Sequence, residues 1–252
     1  MIFNQEEFNE FVLEKNIIKI REKPIKLSSR RKSSWYVNWR VNDVFLMDQI
    51  SQFVLDYAED CELEPDCFYG VPEGATRLGI LTQYKYAVLS DNYGKGSHPL
   101  PMGRGKPKKH GIPKDRYFVG EPKGKVVVLE DVTTTGFSAL ETLENLRETG
   151  SDVIGVISLT NRMERTPIPG KDDAKIVESY EKMFEKVTGE KYEKEMSVED
   201  AMLKAGIPYY SLSDAKNLLP LVIKKACPLK SVIRNLENEI KEYGTEKIKL
   251  LI

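Results

Sequence analysis

The chain has 252 residues, a formal net charge of −1 and three cysteines. This length predicts one domain with a full hydrophobic core. The charge argues against a nucleic-acid-binding protein, and no apolar run approaches the roughly 20 residues that a membrane-spanning helix needs. The cysteines form no CxxC pair and only two histidines occur, so we expect no zinc site and no disulfide framework but reduced thiols in the cytoplasm.

The first part of the chain predicts two helices on either side of a polar hairpin. Apolar residues at helical spacing predict a short helix over 5–15 and a longer one over 43–60, with Asp43 as its N-cap. Between them, 35–40 alternates in the manner of a strand and follows a basic, serine-rich turn over 28–34. This hairpin is either a sheet edge with solvated charges or an edge that recognises a flat ring through aromatic stacking and polar donors.

The next segments predict a strand at 67–69, a small-residue loop at 70–75, a helix over 75–84 and a strand at 86–89. Small residues in a loop after a strand let the backbone approach a ligand closely. The stretch 91–116 is rich in Gly, Pro and Lys, and a loop of this length is usually functional or disordered. Its basic residues suit a lid over a polyanion such as pyrophosphate. A solvated charge run would normally be the plainer interpretation, but the acids and the hydroxyl-rich turn just downstream favour the lid.

The most informative segment surrounds two adjacent acids, Glu130 and Asp131. An apolar strand run at 126–129 precedes them, and a hydroxyl-rich turn at 133–138 opens a helix after them. Backbone N–H groups at the helix start, together with the hydroxyls, predict a phosphate site, and the acids can accept hydrogen bonds from sugar hydroxyls. A phosphate beside a sugar diol indicates a ribose 5-phosphate, whereas a simple helix cap would need only one hydroxyl.

The remaining chain predicts two further strands separated by an insertion. The run 153–159 is a buried strand, and Arg162 follows its end, where ligands bind in open α/β sheets. Arginine is a natural partner of a ligand carboxylate, and a surface ion pair is the alternative role. Residues 166–206 are charged and largely helical, which predicts an inserted helical element without evident chemistry. The sheet resumes with a last strand at 207–212.

Several of these segments resemble one protein family. The acids and the turn resemble the phosphoribosyl diphosphate (PRPP) signature of type I phosphoribosyltransferases, and the chain as a whole is similar to the orotate phosphoribosyltransferase family. The hairpin LSSRRKSSWYVN at 27–38 stands where family members touch the orotate ring, and GVPEGA at 70–75 matches the loop that faces pyrophosphate. RGKPKKHG at 104–111 keeps the spacing of the family's catalytic loop, and Arg162 falls where a family arginine pairs with the orotate carboxylate.

The resemblance implies an α/β fold with a central, mainly parallel sheet flanked by helices. It implies one domain over 1–252, which contains an N-terminal hood over 1–42 and the helical insertion over 166–206. It also implies a homodimer in which the basic loop reaches the partner's site. Some positions depart from the family pattern, which has a Gly, a Lys and a small residue where this chain has Arg30, Gly105 and Phe137.

The activity that the resemblance implies is Mg²⁺-dependent transfer of ribose 5-phosphate from PRPP to N1 of orotate, which yields orotidine 5′-monophosphate and pyrophosphate in pyrimidine biosynthesis. Mg²⁺ is expected to bind mainly through PRPP, without dedicated protein ligands. The implied catalytic residues are Lys108, Arg104, His110 and Asp131. The implied PRPP-binding residues are Glu130, Asp131, Thr134, Thr135, Gly136, Phe137, Ser138, Glu73, Gly74 and Lys106. The implied orotate-binding residues are Arg162, Ser28, Trp35, Tyr36 and Thr134.

Three alternatives remain open at the level of sequence. The chain could be a type I phosphoribosyltransferase for another base, with Arg162 reused. It could be a non-catalytic regulator that binds PRPP or a nucleotide, for which the departure at Gly105 and the insertion are the only support. As a structural or interaction protein, it would carry the basic loop without a chemical role. PRPP and orotate are the expected small-molecule partners, and neither nucleic acid nor a membrane is expected.

Overall fold

The computed structural model describes residues 2–41 and 43–250 of the chain. The helices are α1 (Gln5–Glu14), α2 (Val44–Asp60), α3 (Thr76–Leu89), α4 (Pro113–Tyr117), α5 (Phe137–Glu148), α6 (Ala174–Thr188), α7 (Val198–Lys204), α8 (Ala215–Ala226) and α9 (Lys230–Tyr243). The strands are β1 (Ile18–Lys26), β2 (Lys32–Val37), β3 (Cys67–Gly70), β4 (Met102–Gly103), β5 (Phe118–Val119), β6 (Lys125–Thr133), β7 (Asp152–Asn161) and β8 (Tyr209–Ser211).

A parallel sheet with the strand order β3-β6-β7-β8 organises the molecule. Both faces of this sheet are covered, which is why its strands read as continuous apolar runs. Successive side chains of β6 enter different core clusters, because a strand alternates its faces. Val127 and Leu129 join the cluster that includes α1, α2 and α8, whereas Val126 and Val128 join the one that includes α5, α6 and α7. The predicted α/β fold with a central parallel sheet and flanking helices is confirmed.

The N-terminal region packs a helix and an antiparallel hairpin against the first cluster. The hairpin pairs β1 with β2, and β1 was not among the predicted strands because its sequence IKIREKPIK is mostly polar. The Trp39 ring, just after β2, stacks on that of Phe8 of α1 with centroids 5.6 Å apart. The predicted N-cap of α2 is confirmed, since the Asp43 carboxylate accepts a hydrogen bond from the Leu46 N–H at 2.9 Å.

One predicted strand is wrong. Residues 86–89 form the last turn of α3 rather than a strand. A run of four mostly apolar residues does not distinguish a strand from a buried helix segment. Within the helix, Tyr86 packs edge-on against Phe68 and its hydroxyl donates to the Pro65 carbonyl at 2.7 Å, so tertiary contacts favour the helical conformation.

The segment 166–206 lies against the second cluster and is continuous with it. Its helix α6 buries Tyr180 and Phe184, whose rings lie with centroids 6.2 Å apart, and packs on α5. Phe137 at the start of α5 places its ring 6.1 Å from that of Tyr180. In the described part of the chain, no helix has the length and apolar character that a membrane crossing requires.

Candidate active site

The loops at the carboxyl ends of β3, β6 and β7 enclose two adjoining cavities. One has a volume of about 110 Å³ and surrounds the turn between β6 and α5; we call it the turn pocket. The other has about 420 Å³ and lies between this turn and the N-terminal hairpin; we call it the larger cleft. The residues that line both are Ser28, Glu130, Val132, Thr134 and Ser138. Ligands of open α/β sheets bind at this edge.

The turn pocket is built by the start of α5. Gly136 adopts a left-handed conformation with φ of 74°, which lets the chain turn sharply from β6 into the helix. The backbone N–H groups of the first helical turn have no intrahelical acceptor and point out of the helix end. The same space is lined by three residues with hydroxyl groups, Thr134, Thr135 and Ser138. A cavity of this volume has room for a group larger than a single water, such as a phosphate.

The acids at the end of β6 form a tightly coupled pair. Glu130 is 7% exposed, and burial together with the neighbouring charge of Asp131 raises its pKa well above the ordinary value. Burial also raises the pKa of Asp131. The hydrogen bond from the Val132 N–H and the charge of Arg40 lower this pKa and so reduce the shift. Gly74 lies against the Asp131 carboxylate so closely that an added Cβ would overlap it. The loop after β3 therefore approaches this carboxylate more closely than a residue with a side chain could at position 74.

We expect replacement of Glu130 by Gln to remove a pH-dependent loss of stability. The folded-state pKa of Glu130 is raised, so the folded protein holds this proton at a pH where the unfolded chain has released it. The free energy of unfolding therefore falls as pH rises from the ordinary value of 4.5 through the raised folded value. Glu130→Gln keeps the neutral form, so its stability exceeds that of the wild type at pH 8 more than at pH 5.

Urea unfolding midpoints at pH 5 and pH 8 measure this effect. Glu141→Gln changes an exposed carboxylate of α5 and is the matched control, which should follow the wild type at both pH values. If Glu130→Gln and the wild type show an equal pH dependence of stability, burial does not raise the pKa of Glu130 in the folded protein.

The larger cleft brings the hairpin opposite the acids. Of the residues implied to bind orotate, Ser28, Tyr36, Thr134 and Arg162 line it, and so do Glu73 and Gly74 of the implied PRPP set. Asn38, which belongs to the hairpin at 27–38, and Arg40 line it as well, and neither was among the individual residues implied to bind a substrate. They follow Tyr36 at steps of two, so the alternation of the strand could have identified them.

The structure places Arg162 and Trp35 differently from expectation. Trp35 is 2% exposed and does not line the cleft; its ring lies 3.9 Å from the Arg162 guanidinium carbon. Arg162 Nε donates to Glu164 at 2.7 Å, and Nη2 donates to Ser33 Oγ and Glu239 Oε1, both at 2.9 Å. Arg162 therefore cannot offer two unpaired N–H groups to a ligand carboxylate. Its Nη1 has only a long contact, 3.4 Å to the Trp35 carbonyl.

The basic loop stands apart from both cavities. Lys106, Lys108 and His110 are exposed, and neither they nor Arg104 line the turn pocket or the larger cleft. The base of the loop is fixed, because Arg104 Nε donates to the Phe118 carbonyl at 3.1 Å. Gly105 lies against the Glu73 side chain, and a Cβ there would overlap Glu73 Oε1. A side chain at position 105 would therefore require the exposed Glu73 side chain to move.

The cavity offers oxygen ligands for a hard cation but no complete metal site. Among residues 2–41 and 43–250, no cluster of three or more His, Cys, Asp or Glu side chains could hold a metal ion. Glu130 and Asp131 supply two carboxylates in the larger cleft. Mg²⁺ keeps several waters and often uses one or two carboxylates together with substrate phosphates, so the residues present fit an ion that arrives with a diphosphate.

A parallel sheet whose central strand ends in two acids and a phosphate-sized turn pocket defines a type I phosphoribosyltransferase. No family model matches the sequence. Orotate phosphoribosyltransferase of Pseudoalteromonas translucida (strain TAC 125) is 30% identical over 182 residues, which are 71% of this chain and 79% of that protein. The chain belongs to the orotate phosphoribosyltransferase family, and it is a phosphoribosyltransferase enzyme.

Solved structures share the fold. Orotate phosphoribosyltransferase of Francisella tularensis has a TM-score of 0.60 at 18% identity, over 95% of this chain and 100% of that chain. The orotate phosphoribosyltransferase of Mycobacterium tuberculosis H37Rv in complex with PRPP has a TM-score of 0.51 at 17% identity, over 85% of this chain and 98% of that chain.

Proposed function

We propose that the protein transfers ribose 5-phosphate from PRPP to N1 of orotate and releases pyrophosphate, as a step of pyrimidine biosynthesis. The observation that carries this proposal is the junction of the two cavities. The turn pocket suits a phosphate, the acid pair faces the larger cleft, and the hairpin residues Tyr36 and Asn38 lie across that cleft. A phosphate, a ribose and a flat base fit these three regions in that order.

The proposed roles follow from position. Thr134, Thr135, Gly136, Phe137 and Ser138 bind the 5′-phosphate through hydroxyls and backbone N–H groups. Glu130 and Asp131 accept hydrogen bonds from the ribose hydroxyls and lie beside the ring as positive charge grows on it. Glu73 and Gly74 line the part of the cleft proposed for the diphosphate, and Lys106 would contact the diphosphate when the basic loop lies over the cleft. Tyr36, Ser28, Trp35 and Arg162 bind or support the base, with Arg162 offering Nη1 to its carboxylate.

The basic loop would stabilise the charge that develops as the reaction proceeds. As the C1–O bond breaks, the ribose ring becomes cationic and the leaving pyrophosphate gains negative charge. Arg104, Lys108 and His110 would contact that charge when the loop lies over the cleft, so their stabilisation would be greatest in the transition state. Mg²⁺, when bound to the diphosphate, would neutralise part of the same charge, and Glu130 and Asp131 are the carboxylates that could ligate it.

We also propose a homodimer, in which the loop serves the partner's site. Helix α3 buries Leu78 and Ala87 and also exposes Tyr84, Val88 and Leu89 near its end. Exposed apolar groups of this kind often mark a protein interface, and a second copy of this chain would cover them. Light scattering of the purified protein tests the dimer, and a monomer at micromolar concentration would contradict it.

The organisation of the chain belongs to the same proposal. One catalytic domain over 1–252 would include a hood over 1–42 and an insertion over 166–206, supported by two core clusters that share the central sheet. The bounds at 1, 42 and 252 lie outside the described residues. A cytoplasmic location is proposed as well, in keeping with free cysteines at 61, 67 and 227.

One assay tests the proposed reaction. The protein is mixed with PRPP, Mg²⁺ and orotate, and the loss of orotate absorbance is followed together with pyrophosphate release. Turnover with orotate supports the proposal. Because Glu164 and Glu239 already engage Arg162, transfer to a base without a carboxylate is the second candidate. Turnover with such a base but not with orotate would select it, and tight PRPP binding without any turnover would instead indicate a regulator.

A further inference from the structure

A buried serine in the hairpin turn completes the wall of the turn pocket. Ser28 and Ser29 lie across the pocket from the β6–α5 turn, and Ile176 of α6 forms a third side. Ser29 is 8% exposed, and its Oγ is buried without a hydrogen-bond partner. Buried hydroxyls are normally paired, and one that is not calls for a physical reason. A ligand in the pocket supplies that reason.

The turn is held in place from the far side by the insertion. Arg31 forms a bidentate pair with Asp172 at 3.0 and 2.6 Å, and its Nη1 also donates to Glu164 at 2.9 Å. The next residue of the insertion, Asp173, accepts from Arg30 at 2.6 Å. Arg30 has a φ of 66°, a left-handed conformation that costs a non-glycine residue free energy, so the ion pair stabilises a strained turn. These contacts fix Ser29 relative to the pocket before any ligand binds.

We propose that Ser29 donates a hydrogen bond to the 5′-phosphate of the substrate and is a further binding residue of this site. The inference rests on the proposed function, since it takes a phosphate monoester to be the occupant of the turn pocket. The donors around the pocket favour an anion, because the start of α5 and the hydroxyl-bearing residues Thr134 and Thr135 line the same space. Ser29 adds a donor from an element distant in sequence from that turn.

The test compares Ser29→Ala with Ser51→Ala. Ser51 of α2 is a buried serine whose Oγ also has no partner, and it lines neither cavity, so it controls for the loss of a buried hydroxyl. Isothermal titration calorimetry with ribose 5-phosphate measures binding, and kinetics with PRPP measure KM and kcat. A hydrogen bond to a charged group predicts that Ser29→Ala weakens ribose 5-phosphate binding roughly tenfold to a hundredfold. KM for PRPP rises in parallel, whereas Ser51→Ala matches the wild type.

The outcomes separate this inference from the proposed function. Wild-type turnover together with equal ribose 5-phosphate affinities in Ser29→Ala and the wild type overturns the role of Ser29 and leaves the reaction in place. A wild type that neither binds ribose 5-phosphate nor turns over PRPP overturns both. The melting temperature of Ser29→Ala without ligand should not fall, because the hydroxyl has no partner to lose; a large fall would assign Ser29 a structural role instead.

Discussion

Replacement of Lys108 by Ala is expected to lower kcat about a hundredfold to a thousandfold, the usual effect of removing one donor from a charge-stabilising site. The side chain of Lys108 is exposed on the loop, so the fold should be unaffected. Its backbone N–H pairs with the Arg116 carbonyl at 3.0 Å, and Ala retains that bond. If the loop acts on the transition state, kcat falls far more than the affinity for PRPP.

The adjacent lysine provides the control. Lys109 is also exposed and carries the same charge, so Lys109→Ala changes the net charge of the loop equally. Steady-state kinetics with PRPP and orotate should show near wild-type kcat for Lys109→Ala. Equal losses in the two variants would mean that the loop contributes only a diffuse positive field, and unchanged turnover in Lys108→Ala would remove this residue from the mechanism.

Replacement of Arg162 by Ala is expected to lower the free energy of unfolding by about 3–5 kcal/mol, because it leaves the buried Glu239 carboxylate without its cationic partner, whereas Glu164 keeps Arg31. Glu164 and Glu239 both bond to this guanidinium, and Glu239 belongs to the C-terminal helix α9. Burial raises the pKa of Glu239, and the charge of Arg162 opposes this shift. Loss of Arg162 would therefore raise the pKa of Glu239 further. Urea unfolding at neutral pH measures the change.

Arg165, close by in the sequence, is the matched control for that variant. Its guanidinium lies 3.9 Å from Glu195, and both side chains are about one-third exposed. Exposed ion pairs contribute roughly 0–1 kcal/mol, so Arg165→Ala should be nearly neutral. A stability loss in Arg162→Ala no larger than in Arg165→Ala would contradict the role of Arg162 as the centre of a buried charge cluster.

The site was predictable where its residues are contiguous, and less so where it is assembled from distant segments. The acid pair and the turn at 133–138 lie between one strand and one helix, so the sequence order alone predicts their geometry. Alternation places Asn38 and Arg40 on the same side as Tyr36, but local patterns do not encode that this side of the hairpin lines the cleft. The engagement of Arg162 by Glu239 joins residues 77 positions apart in sequence, and no periodicity signals such a pair.

The strands of the fold were likewise predictable where their own sequence carries the signal. Strands β3, β6 and β7 are buried on both faces and appear as apolar runs, and they were predicted. Strand β1 is mostly polar because its hairpin exposes most of its residues, so composition gave no signal. The contact of Gly105 with Glu73 is likewise set by the approach of two loops.

The packing around Phe137 joins the start of α5 to the segment 166–206. The ring of Phe137 lies against Tyr180, and the neighbouring Gly136 faces Val198 and Met202, so three side chains of 166–206 border the turn. Residues in contact do not contribute independently to stability, so we expect the effects of substitutions at positions 137 and 180 to be coupled rather than additive.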